Sequence, residues 1–235
     1  MYSFDSRVRY SELAENGRLS LDSLINYMQD CASFESEDLG VGMEHLSRKN
    51  RTWVLNFWQI VIERYPKMAE RITIGTQGCK CEKMFGYRNF IITDEKGEYI
   101  AKANSIWILM DQEKGRPVIV KPEEAAVYGT AEPIPMEYAS RKIPIPENGT
   151  TQPAFTVQEY HLDTNHHVNN GQYVRMAMTF LPKETVVKEL RAEYKKQALL
   201  GDEVIPVLYQ TEKGYLVALN GTDGKGYAIV EFFTE

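Results

Sequence analysis

The sequence predicts an α+β protein built from two similar halves, each a long antiparallel sheet wrapped around one helix. Three observations predict this fold. A proline-rich stretch interrupts the regular elements near residue 140, the segments on either side of it can be aligned, and in each half one helix precedes about four strand-like segments. A helix enclosed by a curled sheet needs a wide apolar face, and the first helix has one.

The proline-rich stretch is the predicted boundary between the halves. Five of the ten prolines lie between residues 133 and 153. Proline lacks a backbone N–H donor and restricts the residue before it, so this stretch cannot form a central strand or continue a helix. We therefore expect an N-terminal domain over 1–132, a linker over 133–153 and a C-terminal domain over 154–235.

A weak internal repeat supports this division. The segment VRYSELAENGRLS, which begins at Val8, can be placed over VQEYHLDTNHHVN, which begins at Val157. Asn16 then falls on Asn165, and apolar positions fall on apolar positions. In each copy a short strand and a loop lead to a helix cap, so the pattern predicts the same unit twice.

Each copy ends at the start of a predicted helix. Ser20 can cap a helix whose apolar residues recur at three- and four-residue spacing, and Asn169 can cap a shorter helix that ends before Pro182. Strand-like segments follow both helices. Hairpin turns are expected at Asp94–Gly97, Lys213–Gly214 and Thr222–Lys225.

Composition and charge argue against several classes of protein. The net charge of −6 disfavours a nucleic-acid-binding protein, for which a basic stripe is typical. We find no secretory signal and no run of about 18–20 apolar residues, so we expect a cytoplasmic protein without a membrane span. The three cysteines have no second pair of soft ligands for a structural zinc ion, so reduced thiols are expected, and no cofactor is predicted.

The most informative segment is HLDTNHHVNNGQYV, residues 161–174, which holds three of the four histidines, one carboxylate and three asparagines. A turn needs one or two such residues and a helix cap needs one, so the excess indicates a site. DTNHHVNN within it resembles the Asp-x-Asn-x-His-Val-Asn-Asn signature of the acyl-acyl carrier protein thioesterases of plants and bacteria. Three further segments are also similar to segments of that family, so the resemblance covers most of the chain. They are RTWVLNFWQIVIERYP, ANSIWILMD and LRAEYKKQ.

The resemblance implies a double hotdog fold and a role in fatty acid biosynthesis. The implied reaction is hydrolysis of the thioester between a fatty acyl chain and the phosphopantetheine arm of the acyl carrier protein. Catalytic roles carry over to Asp163, Asn165 and His167. Where the family has a glutamate, followed in plants by a cysteine, this chain has Gln197 and Ala198. That departure removes the cysteine as a nucleophile and leaves Gln197 as a substrate-binding candidate.

The chemistry of these residue types agrees with the implied roles. Asp163 is the only carboxylate of the cluster and is the candidate general base or nucleophile. His167 could polarise the carbonyl or transfer a proton, and Asn165 could orient Asp163 or a water. The helix start at Asn169 and Asn170 offers N–H groups to the developing oxyanion and is the candidate substrate-binding element. For Asn169 alone, a plain helix cap is the preferred interpretation.

The repeat also predicts a single active site per chain. Under the same shift, Ala14 falls on Asp163 and Arg18 on His167, so the N-terminal domain lacks both the acid and the imidazole. We expect that domain to supply the acyl pocket instead. Candidate lining residues, each of which core packing would also explain, are Met28, Cys31, Ala32, Phe34, Trp53, Leu55, Phe57 and Trp107.

Three other interpretations of the motif are open. A hotdog dehydratase acting on 3-hydroxyacyl carrier protein would also use a histidine and a carboxylate, although the asparagine-rich motif fits it poorly. Gln197 favours a non-catalytic protein that binds acyl thioesters. A metal site formed by His161, Asp163 and His167 is disfavoured, because a turn rather than a rigid helix would hold these side chains.

The expected partner is an acyl carrier protein that bears a fatty acyl phosphopantetheine arm. A candidate basic patch gives weak independent support, since glutamates are interleaved with it. Neither a nucleic acid nor a membrane is an expected partner, and pairing of two chains into a homodimer is left open. The patch consists of Lys183, Lys188, Arg191, Lys195 and Lys196.

Overall fold

In the computed structural model, residues 1–234 are described, and the chain divides into two compact units. The first unit comprises Met1–Asn56 and Ile62–Tyr138, and the second comprises Phe57–Val61 and the chain from Ala139 onward. The division at residues 138 and 139 lies inside the predicted linker. That Phe57–Val61 joins the second unit was not predicted from the sequence. No helix among the described residues is long and apolar enough to cross a membrane.

The first unit is an antiparallel sheet with one long helix packed on it. The strands β1, β3, β4 and β5 pair in that order, and β6 pairs with the end of β5. The β4–β5 hairpin turns where predicted, whereas α2 and α3 were not predicted. The elements are β1 Tyr2–Arg7, α1 Leu21–Asp38, α2 Met43–Arg48, β2 Arg51–Ile62, β3 Arg71–Glu82, β4 Phe85–Asp94, β5 Tyr99–Asp111, β6 Arg116–Pro117 and α3 Pro122–Val127.

The second unit repeats this plan with a shorter helix. Residues 57–61 of β2 pair with β9, and the sheet continues through β12, β11 and β10 to β7, while β8 pairs with the start of β10. The helix α4 packs on β11 and β12. The elements are β7 Thr150–Thr151, β8 Phe155–Thr156, α4 Asn170–Met178, β9 Val187–Tyr194, β10 Glu203–Thr211, β11 Gly214–Asn220 and β12 Gly226–Thr234. The predicted fold class, one helix on a long antiparallel sheet in each half, is confirmed.

The long helix α1 forms where its cap and spacing predict. Ser20 Oγ accepts a hydrogen bond from Ser23 N at 3.3 Å, which satisfies one unpaired donor of the first turn. The apolar residues at helical spacing, including Leu24, Ile25 and Met28, are fully buried. Burying this stripe, at about 25 cal/mol per Å² of apolar surface, stabilises the packing of helix on sheet.

The buried stripe of α1 ends on a charged residue. Glu35 is buried and pairs with the buried Arg88 of β4, whose Nη1 also donates to Thr76 Oγ1 at 3.0 Å. The Arg88 guanidinium lies 5.3 Å from the centre of the Tyr128 ring. Two opposite charges satisfied in this way can remain in a core, but removal of one would leave the other unpaired.

The internal repeat is visible in the backbone. We call residues 8–20 the first loop and residues 157–169 the second loop. Each contains a 3-10 turn, at Tyr10–Glu12 and Glu159–His161. Each loop is also hydrogen-bonded to a second turn, which follows β2 in the first case and β9 in the second. We call residues 66–70 the first companion turn and residues 198–202 the second companion turn.

Equivalent hydrogen bonds join each loop to its companion turn. Ala69 N donates to Val8 O at 2.9 Å, and Gly201 N donates to Val157 O at 3.1 Å. Both donor residues have positive φ, 66° for Ala69 and 84° for Gly201. The two turns therefore match residue by residue, 69 with 201.

Candidate active site

The second loop carries the histidine- and asparagine-rich motif to the N-terminus of α4. Leu162 and Val168 form an isolated antiparallel bridge, and Asp163 N donates to His167 O at 2.8 Å. Residues 163–167 are therefore a tight turn closed at its base. The three predicted catalytic side chains are held within five consecutive residues of one rigid turn.

Asp163 both shapes this turn and presents a reactive atom. Its Oδ1 accepts from Asn165 N at 2.8 Å and from His167 N at 3.3 Å. These bonds are those of an Asx turn, in which a side-chain oxygen replaces a backbone acceptor. The other carboxylate oxygen, Oδ2, makes no hydrogen bond to any of residues 1–234, and the side chain is half-buried. One oxygen thus fixes the turn and the other is available for chemistry.

His167 contributes an orphaned nitrogen. Its Nδ1 is buried and has no hydrogen-bond partner within the described chain. A buried polar atom without a partner costs about 1–3 kcal/mol, so such atoms are uncommon unless a ligand, water or reaction uses them. His167 Nδ1 is therefore an unsatisfied polar atom within the turn that holds Asp163.

Asn165 and His166 form the tip of the turn, and both are exposed. The backbone N–H of Asn165 is used by Asp163, while its side-chain amide projects from the turn. His166 has a φ of 61°, a left-handed conformation in which histidine is tolerated better than most residues. His166 thus serves the turn geometry.

His161 has a structural role at the start of the second loop. It is buried, and its Nδ1 accepts from Gln158 N at 2.9 Å. Burial lowers the pKa of His161, and the positive charge of Arg175 lowers it further. The imidazole is therefore neutral when it accepts this bond. Among residues 1–234, no group of three or more His, Cys, Asp or Glu is placed to hold a metal ion.

The start of α4 is capped by the predicted residue. Asn169 Oδ1 accepts from Gly171 N at 2.8 Å, so Asn169 is the N-cap, as preferred on sequence grounds. The carbonyl oxygen of Asn170 accepts from Tyr194 Oη at 3.0 Å, which fixes the first turn of the helix against β9. The N-terminus of α4, with its partial positive charge, directly follows the turn that holds Asp163.

The second companion turn brings Gln197 next to this site. Val168 N donates to Ala198 O at 3.1 Å, and Ala198 N donates to Tyr173 Oη at 2.8 Å. Burial raises the pKa of Tyr173, so it remains a neutral phenol. Gln197, one residue earlier, is exposed. The structure therefore places near one helix end all six residues that the sequence predicted for the site: Asp163, Asn165, His167, Asn169, Asn170 and Gln197.

Glu193 is a structural residue outside the motif. It is buried on β9 and accepts from Lys142 Nζ and from Ile143 N, both at 3.1 Å. These bonds anchor the chain that enters the second unit from the linker. Sequence reasoning assigned Glu193 no role, because its partners lie 51 and 50 residues away and no local pattern predicts them.

Phe34, a candidate pocket residue, and Arg191, a residue of the basic patch, make contacts that the sequence did not indicate. Phe34, a candidate lining residue of the acyl pocket, is 46% exposed and packs on Phe4 with ring centres 5.2 Å apart, so it is not part of the buried stripe of α1. Within the basic patch, Arg191 Nε lies 2.7 Å from Glu189 Oε1, and Arg191 Nη1 lies 4.0 Å from Glu231 Oε2. Arg191 is therefore largely neutralised.

Comparison with known proteins adds family evidence to this geometry. The model described as acyl-ACP thioesterase N-terminal domain matches residues 1–128, and the one described as acyl-ACP thioesterase C-terminal domain matches residues 146–230. A crystal structure of an acyl-ACP thioesterase from Bacteroides thetaiotaomicron has a TM-score of 0.90 and 23% identity, covering 99% of this chain and 97% of that one. At this identity, the structural match supports the fold.

Two plant relatives match over most of the chain. The chloroplastic palmitoyl-acyl carrier protein thioesterase of Cuphea hookeriana is 24% identical over 208 residues, which are 81% of this chain and 50% of that protein. The chloroplastic oleoyl-acyl carrier protein thioesterase 2 of Arabidopsis thaliana is 26% identical over 240 residues, which are 92% of this chain and 65% of that protein. The chain thus spans about half the length of the first relative and less than two thirds of the second.

Proposed function

The chain belongs to the acyl-ACP thioesterase family, and from that premise we propose that it hydrolyses fatty acyl-acyl carrier protein to a free fatty acid and the holo-carrier protein. The observation that carries this proposal is the second loop. It holds a carboxylate with one unused oxygen and an imidazole with an orphaned nitrogen immediately before a helix N-terminus. Thioester hydrolysis needs an activated water and a site for the oxyanion, and this loop offers both.

In this mechanism, Asp163 acts through Oδ2. A water oxygen attacks the thioester carbonyl carbon while its proton passes to Oδ2, and Oδ1 keeps the turn in place through its two backbone donors. Collapse of the tetrahedral intermediate breaks the C–S bond, and the departing thiolate takes the proton. If Oδ2 instead attacked the carbonyl directly, the thiolate would leave first and a mixed anhydride of Asp163 and the fatty acid would form, which water then hydrolyses; a burst of thiol ahead of free fatty acid in a rapid-quench single turnover would distinguish this route.

His167 and the start of α4 support the carbonyl oxygen. The partial positive charge of the helix N-terminus favours the negative charge that develops there, and His167 can donate to that oxygen or relay the proton to the thiolate. The exposed amide of Asn165 is placed to orient the water or the substrate. Asn169 and Asn170 contribute through the helix start that they form.

Gln197 supports a second candidate function. It is a neutral, exposed amide close to the helix start, where the resemblance implies a glutamate. With no carboxylate at this position, Asp163 carries the base role alone, and Gln197 is left to hydrogen-bond the substrate. If Asp163 does not suffice, the chain would bind acyl thioesters without turning them over.

The proposed partner is the acyl carrier protein with its fatty acyl phosphopantetheine arm. The plant relatives are chloroplastic, so the cytoplasmic location expected from the sequence remains a prediction.

The test is thiol release from acyl-carrier-protein thioesters of graded chain length beside the matching coenzyme A esters. Wild type is compared with Asp163→Asn, whose amide oxygen can still accept the two turn hydrogen bonds. We expect wild-type turnover that favours the carrier protein and is lost in a folded Asp163→Asn variant. Binding of acyl donors without any thiol release by wild type would contradict the hydrolase and support the binding protein.

A further inference from the structure

Beside the candidate active site, the second companion turn exposes two adjacent leucines. Leu199 is 48% exposed and Leu200 is 60% exposed, and Tyr160, on the hydrogen-bonded second loop, is 77% exposed. Turn residues are usually polar, because they face water and the turn gains nothing from an apolar side chain. Apolar residues grouped at one place on a surface commonly mark a contact with another molecule.

These side chains are exposed although their backbone is fixed. Leu199 N donates to Asp202 Oδ2 at 3.0 Å, and Val157 N donates to Asp202 O at 2.9 Å, which ties the turn to the second loop. The Tyr160 ring packs edge-on against His161, with ring centres 4.3 Å apart. The apolar side chains are therefore presented on a rigid support, as a docking surface requires.

The first companion turn shows that the turn itself does not require leucine. Matching residue 69 with residue 201 places Lys67 at the position of Leu199 and Met68 at the position of Leu200. The repeat likewise places Ser11 at the position of Tyr160. The first unit thus builds the same turn with a lysine and a methionine, and it also exposes a tyrosine, Tyr10, so the two adjacent leucines are what the second unit adds and they need another explanation.

Two lysines border the leucines. Lys195 is exposed and makes no ion pair with any of residues 1–234, and Lys196 is half exposed, 3.6 Å from Asp223. An ion pair this open to water is worth little, so Lys196 remains available. At the matching positions the first unit has Glu63 and Arg64, and Arg64 is held by Glu70 and Asp94 at 2.6 and 2.9 Å. The cationic border is therefore specific to the second unit.

We propose that Tyr160, Lys195, Lys196, Leu199 and Leu200, the docking patch, form the surface on which the body of the carrier protein sits, an inference that rests on the proposed function. An apolar centre with a cationic edge fits a protein partner that has carboxylates around an apolar face. The patch adjoins the site, because Gln197 and Ala198 lie between its lysines and its leucines. A carrier protein docked there would hold its arm near the turn that contains Asp163.

The test separates docking from chemistry by changing the acyl donor. Leu199→Ser/Leu200→Ser and Lys195→Glu/Lys196→Glu are compared with wild type on a carrier-protein thioester and on the coenzyme A thioester of the same acyl chain. Met68→Ser, a substitution of an exposed apolar residue in the first companion turn, is the matched control. We expect kcat/KM on the carrier protein to fall roughly tenfold or more through KM, with the coenzyme A ester and the control unaffected.

Each other outcome is decisive. Unchanged kcat/KM on the carrier protein in both patch variants would overturn the docking patch, and so would an equal loss on both donors, which would indicate damage to the site. If wild type releases thiol from neither donor, the proposed function fails separately. Calorimetric binding of the acyl-carrier protein to wild type and to the patch variants would then decide the docking patch by itself.

Discussion

The first loop and the second loop can be compared position by position, because they share their backbone hydrogen bonds. Ala14 N donates to Arg18 O and Asp163 N donates to His167 O, both at 2.8 Å. In each loop a 3-10 turn precedes the tight turn, and a capped helix follows it. The framework is the same in both units, so differences in side chain report what each loop does beyond folding.

The tight turn needs one side-chain oxygen, and the two loops obtain it differently. In the first loop, Asn16 Oδ1 accepts from Arg18 N at 3.0 Å. In the second loop the equivalent N–H group, that of His167, donates instead to Asp163 Oδ1 at 3.3 Å. Asn165 is thereby released from the turn. The fold alone does not require an aspartate at 163, and its presence frees an amide that the first loop uses structurally.

The largest expected difference between the loops is catalytic. We predict that His167→Asn lowers kcat by roughly 100-fold or more, because general acid–base groups contribute on that order. Arg18→Asn, the matching change in the first loop, should leave kcat within about twofold. Steady-state thiol release measures both, and comparable losses in the two variants would contradict a single site per chain.

The next largest effect concerns the free energy of unfolding and the buried ion pair that joins α1 to β4 in the first unit. We predict that Arg88→Leu destabilises the first unit by about 3–5 kcal/mol, because Glu35 would be left as a buried, unpaired charge. Glu35→Leu/Arg88→Leu should recover most of that loss, since no charge then remains. Urea unfolding gives the free energies. A double variant as unstable as the single variant would show that packing, rather than charge, sets the loss.

Acid should weaken the second loop more than the first. At equivalent positions, Arg9 N donates to Glu12 Oε2 at 2.7 Å and Gln158 N donates to His161 Nδ1 at 2.9 Å. Because the pKa of His161 is lowered in the folded chain, the unfolded chain binds the proton first as the pH falls below the ordinary value of 6.5. Stability should therefore be full above that pH, fall below it, and level off below the folded pKa.

The variant His161→Glu, which copies the first loop, tests this difference. We expect it to reduce the fall in unfolding midpoint between neutral pH and mildly acidic pH, because a carboxylate can accept the bond from Gln158 N and does not gain a proton in that range. Thermal unfolding across this pH window provides the measurement. An identical pH dependence in wild type and variant would show that another group is responsible.

The smallest effect concerns the tip of the turn. His166 has a φ of 61° where the first loop has Gly17 at 72°. We predict that His166→Gly stabilises the protein by about 1 kcal/mol or less, because glycine adopts this conformation without the Cβ penalty. Urea unfolding measures the gain, and kcat should be retained. A large loss of kcat would give His166 a chemical role that its exposed position does not indicate.

Local patterns in the sequence were sufficient to predict the fold and to select the candidate site residues. Ser20 and Asn169 act as the predicted caps, and the turn residues gave the hairpins, because caps and tight turns depend on neighbours a few residues away. The repeat predicted equivalent loops from little identity, since only a few positions set their backbone. The motif identified the candidate residues for the same reason, because most of them lie close together in sequence on one turn.

Contacts between distant segments were beyond the reach of such patterns. Asn89, a buried residue of β4, accepts from Ile134 N at 3.1 Å and from Tyr138 Oη at 3.0 Å, and so holds the chain that leaves the first unit. The ion pair of Glu35 and Arg88 likewise joins a helix to a strand 53 residues away. A polar residue of this kind looks like any surface residue until its partner is placed beside it in the folded chain.

The central claim is that the second loop alone performs chemistry, and exchanging side chains between the loops tests it most directly. Asp163→Ala/His167→Arg gives the second loop the side chains of the first, and Ala14→Asp/Arg18→His makes the reciprocal change. With folding checked by unfolding midpoint, we expect the first variant to release no thiol above background from acyl-carrier protein and the second to match wild type. Retained turnover in the first variant, or a loss of turnover in the second, would contradict the claim.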